Sequence, residues 1–407
     1  MKKLNLDVHE RPAPLMWLIL SIQHVLAMFG STVLVPILTG LPVSLALVSS
    51  GIGTLFYIFV TKRKSPVYLG SSFAYITPII TALSLGVAVG DDPNVGAVMG
   101  GLVMVGGVYV IIALLIKALG TEWINKILPP VVVGPVIMVI GLSLAATAVD
   151  MASSHIIVSL ITLGTAVLVS NFAKGFLRLL PIVCAIIVGY ISAICFNIVD
   201  FSAVSQAPLL EVPQFAFMNH APVFSWEVAA IMVPVAIVTV MEHIGDHLVV
   251  SNIIGKNLIK DPGLHRTLIG DGVATALAGL IGGPANTTYG ENSGVVALTK
   301  VASVWVIGLA AIIALALGFV GKFTALVQTI PTAVIGGISI LLFGIIASAG
   351  LRVVINNKVD LEKQRNLVIV SVILVVGIGG LAIGNISGMA LAAIIGVILN
   401  LILPKEN

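Results

Sequence analysis

Apolar segments of about 20 residues follow one another along almost the whole chain, and short polar connections separate them. Because a helix of that length spans the hydrocarbon core of a bilayer, each segment predicts a transmembrane helix. Hydrophobic residues make up 58% of the chain and charged residues only 9%, against roughly 25% charged in an ordinary soluble domain. The sequence therefore predicts an all-α membrane protein without a sizeable soluble domain.

Breaks at glycine, proline and charged residues divide the chain into about fourteen transmembrane segments. Polar and small residues interrupt the third segment, Tyr68–Leu85, and the tenth, Thr287–Val301, and the twelfth is predicted at Phe323–Ala349. With the N-terminus in the cytoplasm, every basic residue except Lys322 falls on the cytoplasmic side, as the positive-inside rule requires. We therefore expect a multi-pass protein of the cytoplasmic (plasma) membrane with both termini in the cytoplasm.

Seven segments followed by seven more would place the two halves in opposite orientations, which is an inverted repeat. Weak internal similarity supports it: Gln23-His24 in segment 1 corresponds to Glu242-His243 in segment 8. Segments 3 and 10 are the interrupted, polar segment of each half. Because unwound backbone at membrane depth is tolerated only where it lines a cavity or is buried in protein, this matched pair predicts the binding site of a transporter.

Few ionisable residues fall within the predicted segments, namely His24, Glu242, His243, Asp246, His247, Asp271 and Glu291. An ionisable side chain at membrane depth is costly, so it indicates a functional group that faces the protein interior. On a helix, Glu242 and Asp246 lie one turn apart on one face, and the two histidines lie on a second face about 100° round. We expect the carboxylate face to line the cavity, because two neighbouring carboxylates in a low-dielectric pocket can hold and release a proton.

The histidines and Asp271 each have a structural alternative. A membrane histidine more often forms a hydrogen bond between helices than it binds a ligand, and Asp271 can equally cap a helix or tie domains together. Chelation of a metal by His243 and His247 is disfavoured, since the helical zinc signature requires Glu directly after the first His, whereas Glu242 precedes both. No metal site, phosphate-binding loop or cofactor is therefore expected.

A further polar cluster in segment 10 completes a pattern that resembles a known family. The matching positions are Gln23-His24, Ser71-Ser72-Phe73-Ala74-Tyr75, Glu242, Glu291-Asn292-Ser293-Gly294 and Thr299-Lys300. Together they resemble the signature of the nucleobase–ascorbate transporter family over nearly the whole chain. The runs DPGLHR from Asp261 and NTTYGEN from Asn286 resemble the uracil branch of that family in particular.

The resemblance implies fourteen segments in an inverted seven-plus-seven arrangement, with short antiparallel β-strands where segments 3 and 10 break. It implies a core domain made of segments 1–4 (residues 15–120) and 8–11 (residues 226–320). It also implies a gate domain made of segments 5–7 (residues 121–200) and 12–14 (residues 321–407). Residues 1–14 would form a cytoplasmic tail, and residues 201–225 would form an extracellular loop.

The resemblance also implies proton-coupled uptake of uracil by alternating access, with a purine permease for xanthine or uric acid as the alternative. The substrate-binding residues implied by position are Glu242, Glu291, Phe73, Gly290, Tyr289 and Ser72. The two carboxylates would accept hydrogen bonds from ring N–H groups, and the backbone N–H groups of Phe73 and Gly290 would donate to a carbonyl oxygen. The candidates for carrying the proton are Glu242, Asp246, His247 and His24.

Residue type refines this expectation at two positions. Glutamate rather than glutamine at Glu291 favours a pyrimidine over xanthine, since an ionised carboxylate offers only acceptors. Some members of the uracil branch have His where Asp246 stands, and His247 follows here, so either residue is a candidate proton carrier. An anion carrier is disfavoured because acidic sites repel anions, and a membrane enzyme would be recognised by product formation.

The expected partners are uracil, the proton as coupling ion and membrane lipid, with no nucleic acid. A homodimer through the gate domain follows from the resemblance alone.

Overall fold

The computed structural model describes residues 4–88, 91–384, 386 and 388–404, and the protein is predominantly helical. Residues 1–3 of the predicted tail and 405–407 of the predicted gate domain lie outside this part. The first helices are α1 (Pro14–Thr39), α2 (Val43–Val60), α3 (Ile76–Leu83), α4 (Val95–Leu119), α5 (Glu122–Ile127), α6 (Pro130–Ser143), α7 (Ala145–Ser153), α8 (Ile156–Phe172), α9 (Pro181–Cys195), α10 (Ser202–Gln206) and α11 (Ala216–Asn219). The remaining helices are α12 (Trp226–Ile254), α13 (Leu264–Ile281), α14 (Gly290–Thr299), α15 (Val304–Leu317), α16 (Gly321–Gln328), α17 (Thr332–Asn356), α18 (Gln364–Ile378) and α19 (Gly388–Ile402).

Each of the two interrupted segments contains a short strand. These are β1 (Leu69–Ser71) and β2 (Asn286–Thr288), and they pair antiparallel as predicted. Pro66 precedes β1 and Pro284 precedes β2, and proline disfavours a helix that would continue through either position. A helical segment follows each strand, so that each half of the chain has a strand and a short helix where a continuous span would otherwise lie.

Polar side chains satisfy the backbone of the strands. The hydroxyls of Ser50 and Thr54 in α2 donate to the Leu69 carbonyl over 2.7 and 3.1 Å, and Thr54 Oγ1 accepts from the Leu69 N–H at 2.9 Å. The Asn286 side chain of β2 donates to the Ser49 carbonyl of α2 over 3.1 Å. Since an unpaired backbone group at membrane depth is costly, these hydrogen bonds stabilise the strand pair in the protein interior.

The helices pack in two sets. In the first set, α13 packs on α2 and α4, α15 packs on α1 and α2, and α12 packs on α4. In the second set, α17 packs on α6, α7 and α8, α18 packs on α6 and α19, and α8 packs on α9. The boundary runs along α1 and α12, because α12 contacts α6 and α19 and α1 contacts α9.

Glycines permit a close approach of helices within each set. A Cβ atom built on Gly272 of α13 would lie 3.0 Å from the carbonyl oxygen of Gly106 in α4 and would overlap Tyr109. In the second set, a Cβ atom built on Gly134 of α6 would lie 2.9 Å from the carbonyl oxygen of Gly350 in α17. Small residues at such contacts let helix backbones pack tightly in membranes.

Gly272→Val is expected to destabilise the protein by roughly 1–3 kcal/mol, the range for overpacking a well-packed interior. The added side chain would meet the Gly106 carbonyl and Tyr109, so α4 and α13 would have to separate. Thermal unfolding in detergent measures the effect. Gly107→Val is the matched control, because no atom lies within 4 Å of a Cβ built there. Equal shifts of Tm in the two variants would contradict the packing argument.

Six helical stretches in the described part of the chain are long and apolar enough to cross a membrane: α1, α2, α4, α12, α17 and the consecutive pair α6 and α7. The pair α15 and α16, bent by 82°, would make a seventh if it counts as one span. The apolar helices α8, α9, α18 and α19 have only 10–17 residues, fewer than the about 20 of a straight span. The protein is therefore a multi-pass helical membrane protein, and the full set of fourteen segments stays a prediction.

The predicted start of segment 12 at Phe323 is wrong. The helix α16 ends at Gln328, and α17 begins at Thr332, directly after Pro331. Proline lacks an N–H group and disfavours the helical conformation in the residue before it, so it divides this apolar stretch.

The residues before α1 pack against the protein. Leu6 and Val301 form a parallel backbone bridge, and Asp7 pairs with Lys256 at 2.7 Å. The hydrogen bonds from Lys256 lower the pKa of the Asp7 carboxyl. Because this ion pair is exposed, its contribution to stability is small. The backbone contacts hold the segment beside the turn between α14 and α15.

Candidate functional site

A cavity of about 440 Å³ lies between the two sets of helices. On the side of the first set, its polar or backbone-exposing lining consists of Phe73, Glu242, Asp246, Thr287, Thr288, Tyr289, Gly290 and Glu291. On the opposite wall, α17 contributes Leu341, Leu342, Ile345, Ile346, Ala349 and Arg352. The volume falls in the range of about 300–1,000 Å³ that is typical of small-molecule sites.

The long helix α12 brings two carboxylates to this cavity. It begins after Ser225, whose hydroxyl accepts a hydrogen bond from the first turn, and it ends at Gly255 in the left-handed conformation (φ 70°). Glu242 and Asp246 lie one turn apart on this helix, and both are half-buried. Asp246 Oδ2 accepts a hydrogen bond from Thr288 Oγ1 of β2 at 2.6 Å. The spacing of the two residues therefore gives two carboxylates on one accessible helix face.

Two short helical segments begin at the cavity. Phe73 is the first residue of the helical turn after β1, and Gly290 is the first residue of α14. The N–H of a first helical residue has no partner within its helix, so both groups can donate to a ligand. Glu291, in the first turn of α14, accepts a 2.5 Å hydrogen bond from the Ser31 hydroxyl of α1. The cavity thus offers donors and acceptors side by side.

The other two residues of the predicted substrate site differ in their placement. Tyr289 lines the cavity, but its hydroxyl accepts from Thr32 at 3.2 Å and donates to the Ser71 carbonyl at 3.1 Å. Ser72 is buried and is not one of the lining residues. Its N–H donates to the Ala285 carbonyl at 2.8 Å. Tyr289 therefore offers no free hydroxyl to the cavity, and Ser72 supports the strand pair.

His24 lies in the protein interior, away from the cavity lining. It is 1% exposed, and Asn292 Nδ2 lies 3.0 Å from its Nδ1 and 3.1 Å from its carbonyl oxygen. Since an amide nitrogen only donates, His24 Nδ1 accepts and the ring hydrogen lies on Nε2. The contacts between His24 and Asn292 join α1 to α14, the helix of the interrupted segment 10.

His243 and His247 belong to a buried polar chain on another face of α12. His243 Nδ1 lies 2.8 Å from Asp271 Oδ2 of α13, and the two histidine rings stack with centroids 4.1 Å apart. His247 Nδ1 lies 2.7 Å from the His243 carbonyl, and its Nε2 lies 2.5 Å from the Tyr57 hydroxyl. Because a carbonyl only accepts, His247 Nδ1 carries a hydrogen, and Nε2 shares the Tyr57 hydroxyl with Ser65 Oγ, which lies 2.8 Å from that hydroxyl. Both ring nitrogens of His247 are therefore engaged inside the protein.

Sequence reasoning missed several residues that shape the site. Ser31 and Thr288 each donate to a cavity carboxylate, and Tyr57 holds His247. In the sequence, the only signal is that these residues are polar within apolar segments, which many other serines and threonines share. Arg352 was also missed, because the positive-inside rule assigns it to a cytoplasmic helix end without reference to a cavity.

A multi-pass helical protein whose cavity is built at two interrupted helices belongs to the class of membrane transporters. The model of a permease family, Xan_ur_permease, matches residues 15–386. The chain belongs to this permease family, so it is a transporter and not an enzyme.

Curated relatives resemble the chain along its whole length. The uracil permease of Bacillus subtilis (strain 168) is 53% identical, over 100% of this chain and 97% of the relative. The uracil permease of Escherichia coli (strain K12) is 42% identical, over 99% of this chain and 94% of the relative. A putative pyrimidine permease of the same strain is 40% identical, over 95% of this chain and 89% of the relative.

Solved structures share the fold at low sequence identity. The transmembrane domain of the cyanobacterium bicarbonate transporter BicA matches with a TM-score of 0.64 at 15% identity, covering 96% of this chain and 98% of that domain. The structure of SLC26A9 matches with a TM-score of 0.70 at 11% identity, covering 95% of this chain and 65% of that protein. At such identities, the likeness concerns the fold alone.

Proposed function

We propose that this chain imports uracil across the cytoplasmic membrane together with protons, by alternating access. The observation that carries the proposal is one cavity in which the carboxylates of Glu242 and Glu291 converge with two first-turn backbone N–H groups. Uracil is a neutral, flat ring with two N–H donors and two carbonyl acceptors. A site with both kinds of partner can satisfy all of its polar groups, which a buried ligand requires.

The proposed contacts follow from the positions of the lining groups. Glu242 and Glu291 accept hydrogen bonds from the ring N–H groups, and the N–H groups of Phe73 and Gly290 donate to carbonyl oxygens. Tyr289 also lines the cavity, with its hydroxyl engaged by Thr32 and Ser71. The names of the relatives, uracil permease and putative pyrimidine permease, favour a pyrimidine over the purine alternative.

The proposed architecture is the inverted arrangement of fourteen segments, in which the first set of helices is the core domain and the second set is the gate domain. The position of the cavity between the two sets supports this assignment. Movement of the core against the gate would expose the cavity to each side in turn. In this proposal both termini lie in the cytoplasm and residues 201–225 form an extracellular loop. A homodimer through the gate domain stays a prediction.

Among the candidate proton carriers, the surroundings of Asp246 favour it over His247. Asp246 lines the cavity and is half-buried, so it can exchange a proton with solvent that enters. His247 is fully buried with both ring nitrogens engaged, and His24 is bonded to Asn292. Glu242 shares the accessible face and is the second candidate.

The decisive experiment is uptake of radiolabelled uracil into proteoliposomes that hold the purified protein, with and without an inward proton gradient. We expect accumulation that depends on the gradient and is not competed by unlabelled xanthine. Accumulation without a gradient would contradict proton coupling. Absence of uracil uptake, or equal competition by xanthine, would refute the assignment of a pyrimidine and favour a purine permease.

Gly290→Ala is expected to lower uracil affinity by about tenfold, the effect of weakening one hydrogen bond. Gly290 is exposed at the cavity, and no atom lies within 4 Å of a Cβ built there, so the substitution should leave the fold unchanged. The added methyl group would hinder the approach of uracil to the N–H group of residue 290. Equilibrium binding in detergent measures the change. Gly344→Ala is the control, because its Cβ position is also open but Gly344 does not line the cavity. Unchanged affinity in Gly290→Ala would exclude this N–H group as a ligand.

A further inference from the structure

Arg352 stands apart from the rest of the gate-side wall. The residues that α17 presents to the cavity, from Leu341 to Ala349, are apolar and recur at the spacing of one helix face. Arg352 continues that face by one turn toward the C-terminal end of α17. Among the described lining residues it is the basic one, whereas Glu242, Asp246 and Glu291 are acidic.

The guanidinium of Arg352 lacks a counter-charge in this conformation. It is exposed and forms no ion pair with any described residue. On the opposite wall, Thr288 donates to Asp246 and Ser31 donates to Glu291, but neither hydroxyl neutralises a carboxylate. One cavity is thus lined by a cation on the second set of helices and by three carboxylates on the first set, and the cation forms no ion pair with these carboxylates. The proposed transport cycle moves the two sets against each other.

Asp246 is the carboxylate that we expect to meet Arg352, because the predicted topology places the C-terminal ends of α12 and α17 on the same, cytoplasmic side. It lies one turn closer than Glu242 to the C-terminal end of α12, while Arg352 lies in the last turns of α17. The groups that face Asp246 are Thr288 on β2, Glu242 on its own helix and Glu291 on α14. None of them is a cation, so Arg352 is the counter-charge that the described cavity lining offers.

We propose that Arg352 pairs with Asp246 in the empty, unprotonated carrier and thereby stabilises the conformation through which the carrier returns. The inference rests on the proposed function, since it assigns a step to the same cycle. A proton on Asp246 removes the charge that holds the pair, so the loaded carrier moves without it. Arg352 is in this scheme a positioning residue that acts on the unloaded protein, and it does not touch uracil.

The first test separates the return of the empty carrier from movement of the loaded one. Net uracil uptake requires that return, whereas exchange of internal for external uracil does not. We expect Arg352→Gln to lower net uptake by about tenfold, a change typical of losing a close charge pair, while exchange falls less than about threefold. Arg352→Lys should restore most of the net uptake because it keeps the charge. An equal loss of both activities, or no loss of either, would overturn the proposal.

Lys358→Gln is the matched control, since Lys358 is an exposed basic residue just after α17 and does not line the cavity. It should leave both activities unchanged if the effect of Arg352 comes from the cavity and not from the general positive charge at this helix end. A loss of net uptake in Lys358→Gln equal to that in Arg352→Gln would overturn the proposal.

A second test does not depend on transport of uracil. The Tm of the ligand-free protein in detergent is measured for Asp246→Asn, Arg352→Gln and the double variant at a pH at which carboxylates are ionised. If the two groups pair, the shift of the double variant differs from the sum of the single shifts by more than about 1 °C. Additive shifts would refute the pair even if the wild-type protein carries another substrate. Absence of uracil uptake by the wild type would instead refute the proposed function alone.

Discussion

Glu291→Gln is expected to reduce uracil uptake by at least about a hundredfold, the loss that follows when a charged acceptor is removed and a buried donor is left unpaired. One carboxylate oxygen of Glu291 already accepts from Ser31, which leaves the other for a ring N–H. An amide replaces one of these acceptors with a donor. If the amide keeps its oxygen on Ser31, its NH2 group faces the substrate N–H; if it turns its NH2 group to the Ser31 hydroxyl, the substrate N–H meets an uncharged oxygen. In either orientation the substrate loses a charged acceptor.

Initial rates in proteoliposomes and equilibrium binding in detergent both measure this loss. Glu227→Gln is the matched control, because it makes the same change at an exposed position in the first turn of α12. We expect the control to match the wild type in rate and affinity, and Glu291→Gln to retain the wild-type Tm. Uptake by Glu291→Gln within threefold of the wild type would remove Glu291 from the site.

The local features of the site could be predicted from sequence where they depend on short-range geometry. The spacing of Glu242 and Asp246 alone places both on one face of α12, and that face lines the cavity. Polar and small residues likewise indicate that segments 3 and 10 are interrupted, and the structure places β1 and β2, which the family resemblance implies, at these interruptions. The first inference needs only the helix period, and the second needs only the local composition of the two segments.

Features that depend on contacts between distant segments could not be predicted in this way. Asp271 and His243 are 28 residues apart and meet only because α12 packs near α13. His247 Nε2 is engaged only because Tyr57 of α2 is next to it, whereas Nδ1 contacts the His243 carbonyl of its own helix. The division of segment 12 was missed for another reason: Pro331 marks the break in the sequence, but the apolar run on both sides of it was assigned to a single segment.

Asp246→Asn is expected to abolish accumulation of uracil against its gradient, while uracil still equilibrates across the membrane. A gradient of one pH unit supplies about 1.36 kcal/mol per coupled proton, which supports roughly tenfold accumulation for a stoichiometry of one. An amide cannot take up this proton, so the internal concentration of uracil should reach only the external one. The hydrogen bond from Thr288 can be kept by the amide oxygen, so the cavity should retain its shape.

The measurement is the internal uracil concentration at steady state, with and without an inward proton gradient, for Asp246→Asn and His247→Gln side by side. Asp246→Asn should lose the dependence on the gradient, whereas folded His247→Gln should keep it, because His247 has no access to the cavity in this conformation. The opposite result would be wild-type accumulation in Asp246→Asn and loss of accumulation in His247→Gln, with the Tm of His247→Gln unchanged. That result would assign the proton to the buried chain of His243, His247 and Tyr57 instead. The comparison discriminates between two neighbouring residues of one helix, because Asp246 lines the cavity and His247 is buried in packed protein.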